Sequence, residues 1–265
     1  MTTGQLYLSR ARLRARRGEA LASIAPLLLA SAASDAAANG HHIVWMLFQD
    51  SPYPGGSGNW RETADGDGFL WRDEGEGRYL VLSRKRPTDP HGLFDLDEPK
   101  EFAPVLAAGD RLRFVLRANP IIRLNQDETR TTTKGRVTPR RKKVDVVMHA
   151  LRHVPETDWD AKTGRAFERD RLVTSTVSDW LDRQGERAGF RRDSDAPFFA
   201  GNYTQVQIER RSRFRNQKGR PAGISVVDME GHITVTDPAA FLGKLPLGFG
   251  SSKAFGCGLM LIRRA

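Results

Sequence analysis

A single cysteine, Cys257, stands in 265 residues. The chain therefore has no internal disulfide and no all-cysteine metal site, which fits a reducing compartment. No run of about 18 apolar residues is present, so no segment reads as a membrane-spanning helix. The opening stretch, MTTGQLYLSRARLRARR, places its charges after its apolar residues, the reverse of a secretory leader. Together these features predict a cytoplasmic protein with no membrane partner. Zinc-finger spacing and paired metal carboxylates are missing. Of six histidines, His149 and His153 share an i, i+4 spacing suited to metal ligands, but no glutamate or third ligand accompanies them. No metal and no cofactor is implied. Negative charge is also scarce: 32 acidic residues face 42 Lys plus Arg, for a net charge of +10. That excess points to a polyanionic partner, the plainer alternative being a solvated basic surface.

The 39% of apolar residues suffices for one large core or two small ones. Residues 5–14 and RLRFVLR (111–117) alternate as half-exposed strands do. Between them, the alanine- and leucine-rich residues 20–38 predict a helix stopped by Asn39-Gly40. IVWMLF (43–48) reads as a buried strand, and FLWR and RYLVLS as two more. Residues 134–143, KGRVTPRRKK, hold six cations and no acid, which predicts an exposed, mobile segment. Two helical patterns follow (VDVVMHALRHV and TVSDWLDRQGERAG). Then YTQVQIE and AGISVVD read as strands around a basic hairpin, HITVTD as a strand, DPAAFLGKL as a helix opened by Asp-Pro, and CGLMLIRR as a strand. The economical architecture is α+β, two tandem ferredoxin-like domains of the RNA-recognition-motif type. The expected boundaries are 1–122, a basic linker at 123–144, and 145–265.

Three constellations suggest chemistry. GFGSSKAFGCG (248–258) packs four glycines, two serines and a lysine into eleven residues. It suits a phosphate cradle, but Lys253 precedes Ala254 rather than Ser or Thr, so it lacks P-loop grammar. Contact with a nucleic-acid backbone and a tight helix-to-strand connection both stay open for it. In the hairpin, Arg210, Arg211, Arg213, Arg215 and Lys218 surround Phe214, a pattern able to track phosphates while the ring stacks on a base. Lastly, His41 and His42 follow a predicted helix end, where an imidazolium would gain from the helix dipole. Capping and catalysis are both open for them.

LRANP in the middle of the chain, the basic hairpin running into SVVDMEGHITVTDPAAF, and the terminal GFGSSKAFGCGLMLI carry a resemblance. The chain resembles the CRISPR-associated endoribonuclease CasE of the type I-E system, over nearly its whole length. The resemblance implies paired ferredoxin-like folds and binding of the repeat stem-loop of precursor CRISPR RNA. It also implies a metal-independent cut in which the ribose 2′-OH attacks phosphorus, giving a 2′,3′-cyclic phosphate. The product hairpin at the 3′ end of the mature CRISPR RNA would then stay bound in Cascade, beside its other subunits.

On that reading RNA contacts fall to Arg123, Arg140, Arg141, Lys142, Lys143, Arg210, Arg211, Arg213, Arg215, Lys218, Gly248, Gly250, Ser251, Ser252 and Lys253. The family's catalytic histidine lies on the first helix, and the matching positions here, Ser23 to Ala25, hold nothing that titrates near neutrality. His41 and His42 are the substitute candidates for the base, unless the cut relies on positioning and cations alone. The alternatives are an RNA-hairpin-binding Cascade subunit that does not cut, and an unrelated ribosomal or messenger-RNA protein with a recognition-motif fold.

Overall fold

The strand Tyr7–Leu13 (β1) lies at the centre of the first sheet, and its alternation has a direct outcome: Ser9 and Ala11 are buried while Arg10 and Arg12 are not. The structure, a computed structural model, describes residues 5–14, 36–48, 68–131, 137–155, 164–208 and 222–265. In the first sheet β1 pairs antiparallel with Arg78–Ser83 (β3), which pairs with Phe69–Gly75 (β2). On its other side β1 pairs with the short strands Phe94–Leu96 (β4) and Lys100–Glu101 (β5). The order β2-β3-β1-β4 is that of a ferredoxin-like sheet. Burial along β3 is continuous from Tyr79 to Ser83 because both faces are covered. One face packs on the helix Ala36–Trp45 (α1) through Val44, Leu47, Trp71 and Val81. The other presents Leu70, Leu80 and Leu82 to Leu259 of the second half.

The second sheet has the same order. Arg111–Ala118 (β6) sits between Ala222–Val235 (β11) and Met260–Arg264 (β12), and Phe199–Ile208 (β10) flanks β11. A short strand, Phe190–Arg192 (β9), adds to β11. In β6, Leu112, Phe114, Leu116 and Ala118 face the core. They pack with Val173, Val177, Trp180 and Leu181 of Gly164–Ala188 (α3). Each Leu, Val or Phe side chain among them stabilises the fold by about 1.5–3 kcal/mol when removed from water. Asp237 caps Pro238–Lys244 (α4) by accepting from Ala240 N at 3.0 Å, as its Asp-Pro start predicts.

Five sequence expectations change. β6 belongs to the second sheet, so the division between sheets falls before Arg111 rather than at residue 122. The expected mobile linker is, over its described residues, part of a β-ribbon. Ile121–Thr131 (β7) pairs with Val137–Asp145 (β8), which leads into the short helix Val146–Leu151 (α2). AGISVVD and HITVTD are one continuous strand, β11.

IVWMLF is not a strand either. Ile43 to Trp45 close α1, which runs straight through Asn39-Gly40. Packing overrides the stop signal there, because a Cβ on Gly40 would lie 2.2 Å from the Trp71 indole. Gly40→Ala is expected to cost about 1–3 kcal/mol by overpacking, measured as a shift in the urea midpoint with unchanged slope.

Candidate nucleic-acid interface

The LRANP stretch is where sheet, ribbon and glycine loop meet. Asn119 is buried at the end of β6; its side-chain Nδ2 donates to Ser225 O at 2.7 Å, and its carbonyl accepts from Ser251 N at 3.1 Å. Pro120 follows and its carbonyl accepts from Val146 N at the start of α2. Ribbon and loop thus leave the sheet from one point. The loop passes so close that a Cβ on Gly250 would stand 2.6 Å from Asn119 O, and the φ of +76° at Gly250 also favours glycine. Ser252, at φ 60°, holds a left-handed conformation that costs a non-glycine residue about 1–2 kcal/mol. Lys253 Nζ donates back to Gly250 O and closes the loop on itself.

The base of the ribbon is fixed by polar contacts. Asp145 Oδ1 caps α2 through Met148 N at 2.7 Å and accepts from the Tyr203 hydroxyl at 3.0 Å. That hydroxyl also lies 3.1 Å from Ser225 Oγ. Burial, with the Asp145 carboxylate nearby, pushes the Tyr203 pKa up to about 12, so the phenol stays protonated and keeps donating. Trp180 Nε1 donates to Ile121 O at 3.3 Å and binds the ribbon to α3.

These elements enclose a cleft of about 740 Å³. The ribbon contributes Arg123, Asn125, Arg141 and Lys143; α3 contributes Arg183, Gln184 and Arg187; Lys244 and the loop residues Gly250 to Lys253 complete the wall. Seven of the described lining side chains are cationic and none of them is acidic. The ribbon's alternation explains the selection: Arg123 pairs with Lys143 and Asn125 with Arg141, so all four share one face, while Lys142 is opposite Leu124 on the other. Among the described residues, Arg123, Arg141, Lys143, Arg183 and Arg187 have no carboxylate within 4 Å. Some arginines elsewhere are paired: Arg192 holds Asp182 with two bonds of 3.1 and 3.0 Å, and Arg72 lies 3.8 Å from Asp228 across the two halves. Crowding uncompensated cations costs self-repulsion that an incoming polyanion relieves.

The histidines lie on the last turns of α1, which packs against the turn Lys253–Phe255 at the far end of the glycine loop. Both approach Trp71: a Cβ on Gly40 would stand 2.2 Å from its indole, and one on Gly256 3.3 Å. His41 stacks on Phe69, with centroids 5.2 Å apart, and both of its ring nitrogens are enclosed without a hydrogen-bond partner among the described residues. Burial, then the neighbouring His42, lowers its pKa to about 4. His41 is therefore neutral, and the capping-imidazolium reading fails for it. His42 is half-buried on the last turn.

A family model described as CRISPR associated protein matches residues 6–264. The chain belongs to this family. It is 29% identical over 176 residues to the CRISPR-associated endoribonuclease Cse3 of Thermus thermophilus, a stretch that covers 64% of this chain and 64% of that relative. Its fold is similar to that of Cse3 bound to a 19-nucleotide RNA (TM-score 0.60, 22% identity, covering 98% of this chain and 100% of the other). Cas6e from Escherichia coli K-12 is also similar (TM-score 0.52, 20% identity, 98% and 100% covered). These likenesses agree with the tandem ferredoxin-like architecture.

In this CRISPR-associated chain the fold unites two groups of expected RNA contacts that lie more than a hundred residues apart in sequence. Arg123, Arg141, Lys143, Gly250, Ser251, Ser252 and Lys253 all line the cleft. Lys142 is exposed outside it, and Arg140 is in β8. Gly248 does not line it; that residue sits at the contact between halves, where a Cβ would meet Leu70 at 3.0 Å. Arg210, Arg211, Arg213, Arg215 and Lys218 lie outside the described residues, as do the positions Ser23 to Ala25. Sequence reasoning missed Arg183, Gln184, Arg187 and Lys244. The signal was present: Trp180, Arg183, Gln184 and Arg187 fall at i, i+3, i+4 and i+7, a single stripe on a helix. Of the described residues, no helix is long and apolar enough to cross a membrane, and no group of three or more His, Cys, Asp or Glu residues is placed to hold a metal.

Proposed function

We propose that this protein grips the repeat stem-loop of precursor CRISPR RNA and cuts it without a metal, keeping the hairpin as a subunit of Cascade. The observation that carries this reading is the cleft itself, where arginines and lysines converge from the ribbon, α3 and the glycine loop and no described lining residue is acidic. Such a wall binds phosphates and develops little affinity for a neutral ligand. Ser251 and Ser252 add hydroxyl donors to a backbone phosphate, and the basic hairpin at 210–218 docks along the stem. Family membership and the relatives' printed RNA-cleaving activity support the same assignment.

The chemistry asks for a base at the ribose 2′-OH and positive charge at the phosphate. The 2′ oxygen loses its proton to the base, forms the new P–O bond in line, and the 5′ oxygen of the next nucleotide leaves with a proton. Of the two histidines we assign the base to His42, because both ring nitrogens of His41 are sealed off. Cleavage of the chain's own repeat RNA should proceed in EDTA and vanish when a 2′-deoxy nucleotide occupies the cut position, while binding persists. His42→Ala should lower the single-turnover rate by about 10²–10³. An unchanged rate would remove His42 from this role.

A second reading has an observation of its own: nothing at Ser23 to Ala25 titrates near neutrality. In that case the protein holds the hairpin and does not cut, and neither RNA yields product. A requirement for added magnesium would contradict the proposed mechanism.

A further inference from the structure

The cleft wall holds two side chains that phosphate binding does not explain. Gln184 on α3 and Asn125 on the ribbon are the amides among the described lining residues; the other polar side chains there are cations, hydroxyls and the engaged indole of Trp180. Neither amide has a hydrogen bond to another described residue. An amide presents two donors and an acceptor, a set that matches the edge of a base and adds little for a phosphate oxygen beside a guanidinium. Gln184 is half-buried between Arg183 and Arg187, so its reach is directed into the cavity.

The shape of the site agrees. A paired A-form stem hides its base edges in a deep, narrow groove, and protein reads RNA sequence mainly from unstacked nucleotides turned outward. A cavity of about 740 Å³ lies within the range of pockets that enclose a small ligand. Ile121 and Ile122, both partly exposed, give it an apolar wall for the flat side of a base. Trp180 cannot serve as a stacking platform, being 1% exposed with its Nε1 engaged by Ile121 O.

The geometry points to a specificity pocket: one unpaired nucleotide of the bound RNA turns into this cleft, its phosphate on the arginine rim and its base edge on Gln184 and Asn125. This rests on the reading of the cleft as an RNA site and deepens it, since it separates the groups that hold RNA from those that choose its sequence. Arg183 and Arg187 weaken binding to every sequence alike when removed. Gln184 acts at one nucleotide.

The test uses the full chain and its repeat RNA, with a panel in which each unpaired nucleotide is replaced in turn by another base or by an abasic sugar. Gln184→Leu is expected to weaken binding of the native repeat about tenfold. It should also abolish discrimination at one position of the panel, with the abasic RNA at that position no further weakened. Asn125→Ala, on a different element, should act at the same position, so the test survives a folding defect in either variant. Equal loss across the panel, or no loss, overturns the specificity pocket. Arg183→Ala tests the underlying reading separately. If it leaves both affinity and salt dependence unchanged, the cleft is not the RNA site at all.

Discussion

Replacing Arg141, Arg183 and Arg187 together by alanine should reduce affinity for the repeat RNA by roughly 10³ at moderate salt, about 1.4 kcal/mol for each arginine. The slope of log K against log salt should fall by about two units, since each lost phosphate contact releases about 0.7–0.9 fewer counterions. Stability should barely move, because none of the three holds a carboxylate among the described residues. Arg192 is the control. It is bidentate to Asp182, so Arg192→Ala should lower stability and leave the salt slope alone. Filter binding at a series of salt concentrations, together with urea titrations, checks both halves of this expectation. A triple variant with the wild-type slope would show that phosphates do not enter the cleft.

The second large effect belongs to His41. Its pKa is about 4 in the folded chain against an ordinary value of 6.5, so between those pH values the unfolded state binds the extra proton. Stability then rises with pH across that window and is lost on acidification from 6.5 toward 4. The loss between pH 7 and pH 5 is about 2 kcal/mol from this one group. His41→Phe should lose that much less over the same interval. At pH 7 it should be about 1–3 kcal/mol more stable than the parent, because two enclosed nitrogens without partners disappear from beside Phe69. Urea midpoints at the two pH values decide it. Identical pH dependence in parent and variant would mean that solvent reaches the His41 ring.

How much of this was readable in the sequence depended on whether the deciding partner was local. The alternation of β6 and the Asp-Pro start of α4 are local signals, and both elements formed as they predict. The Asn39-Gly40 signal is equally local but gave a false stop, because Trp71, some thirty residues on, needs a residue without a side chain inside the helix. The charge run at 134–143 looked like a solvated linker because its pairing partner, β7, carries a polar IIRLNQDETRT sequence with weak strand patterning. The position of β6 depends on pairing with β11 and β12, more than a hundred residues away. For the site, the ribbon and loop cations were visible as clusters. Arg183 and Arg187 were hidden among the acidic residues of their own helix, since Asp182 and Glu186 alternate with them in sequence while facing elsewhere.

The stack of Gly40, Trp71 and Gly256 has one more consequence. The flat ring that both bare backbones approach joins the histidine-bearing turn to the loop that borders the cleft. Nothing in that stack can swing on a rotamer except the indole, which is itself buried. On the proposed assignment of the base to His42, tolerance in where it meets the scissile nucleotide comes from the RNA. A smaller residue at position 71 would let the two walls drift, loosening the alignment for cutting before it loosened the grip on the hairpin.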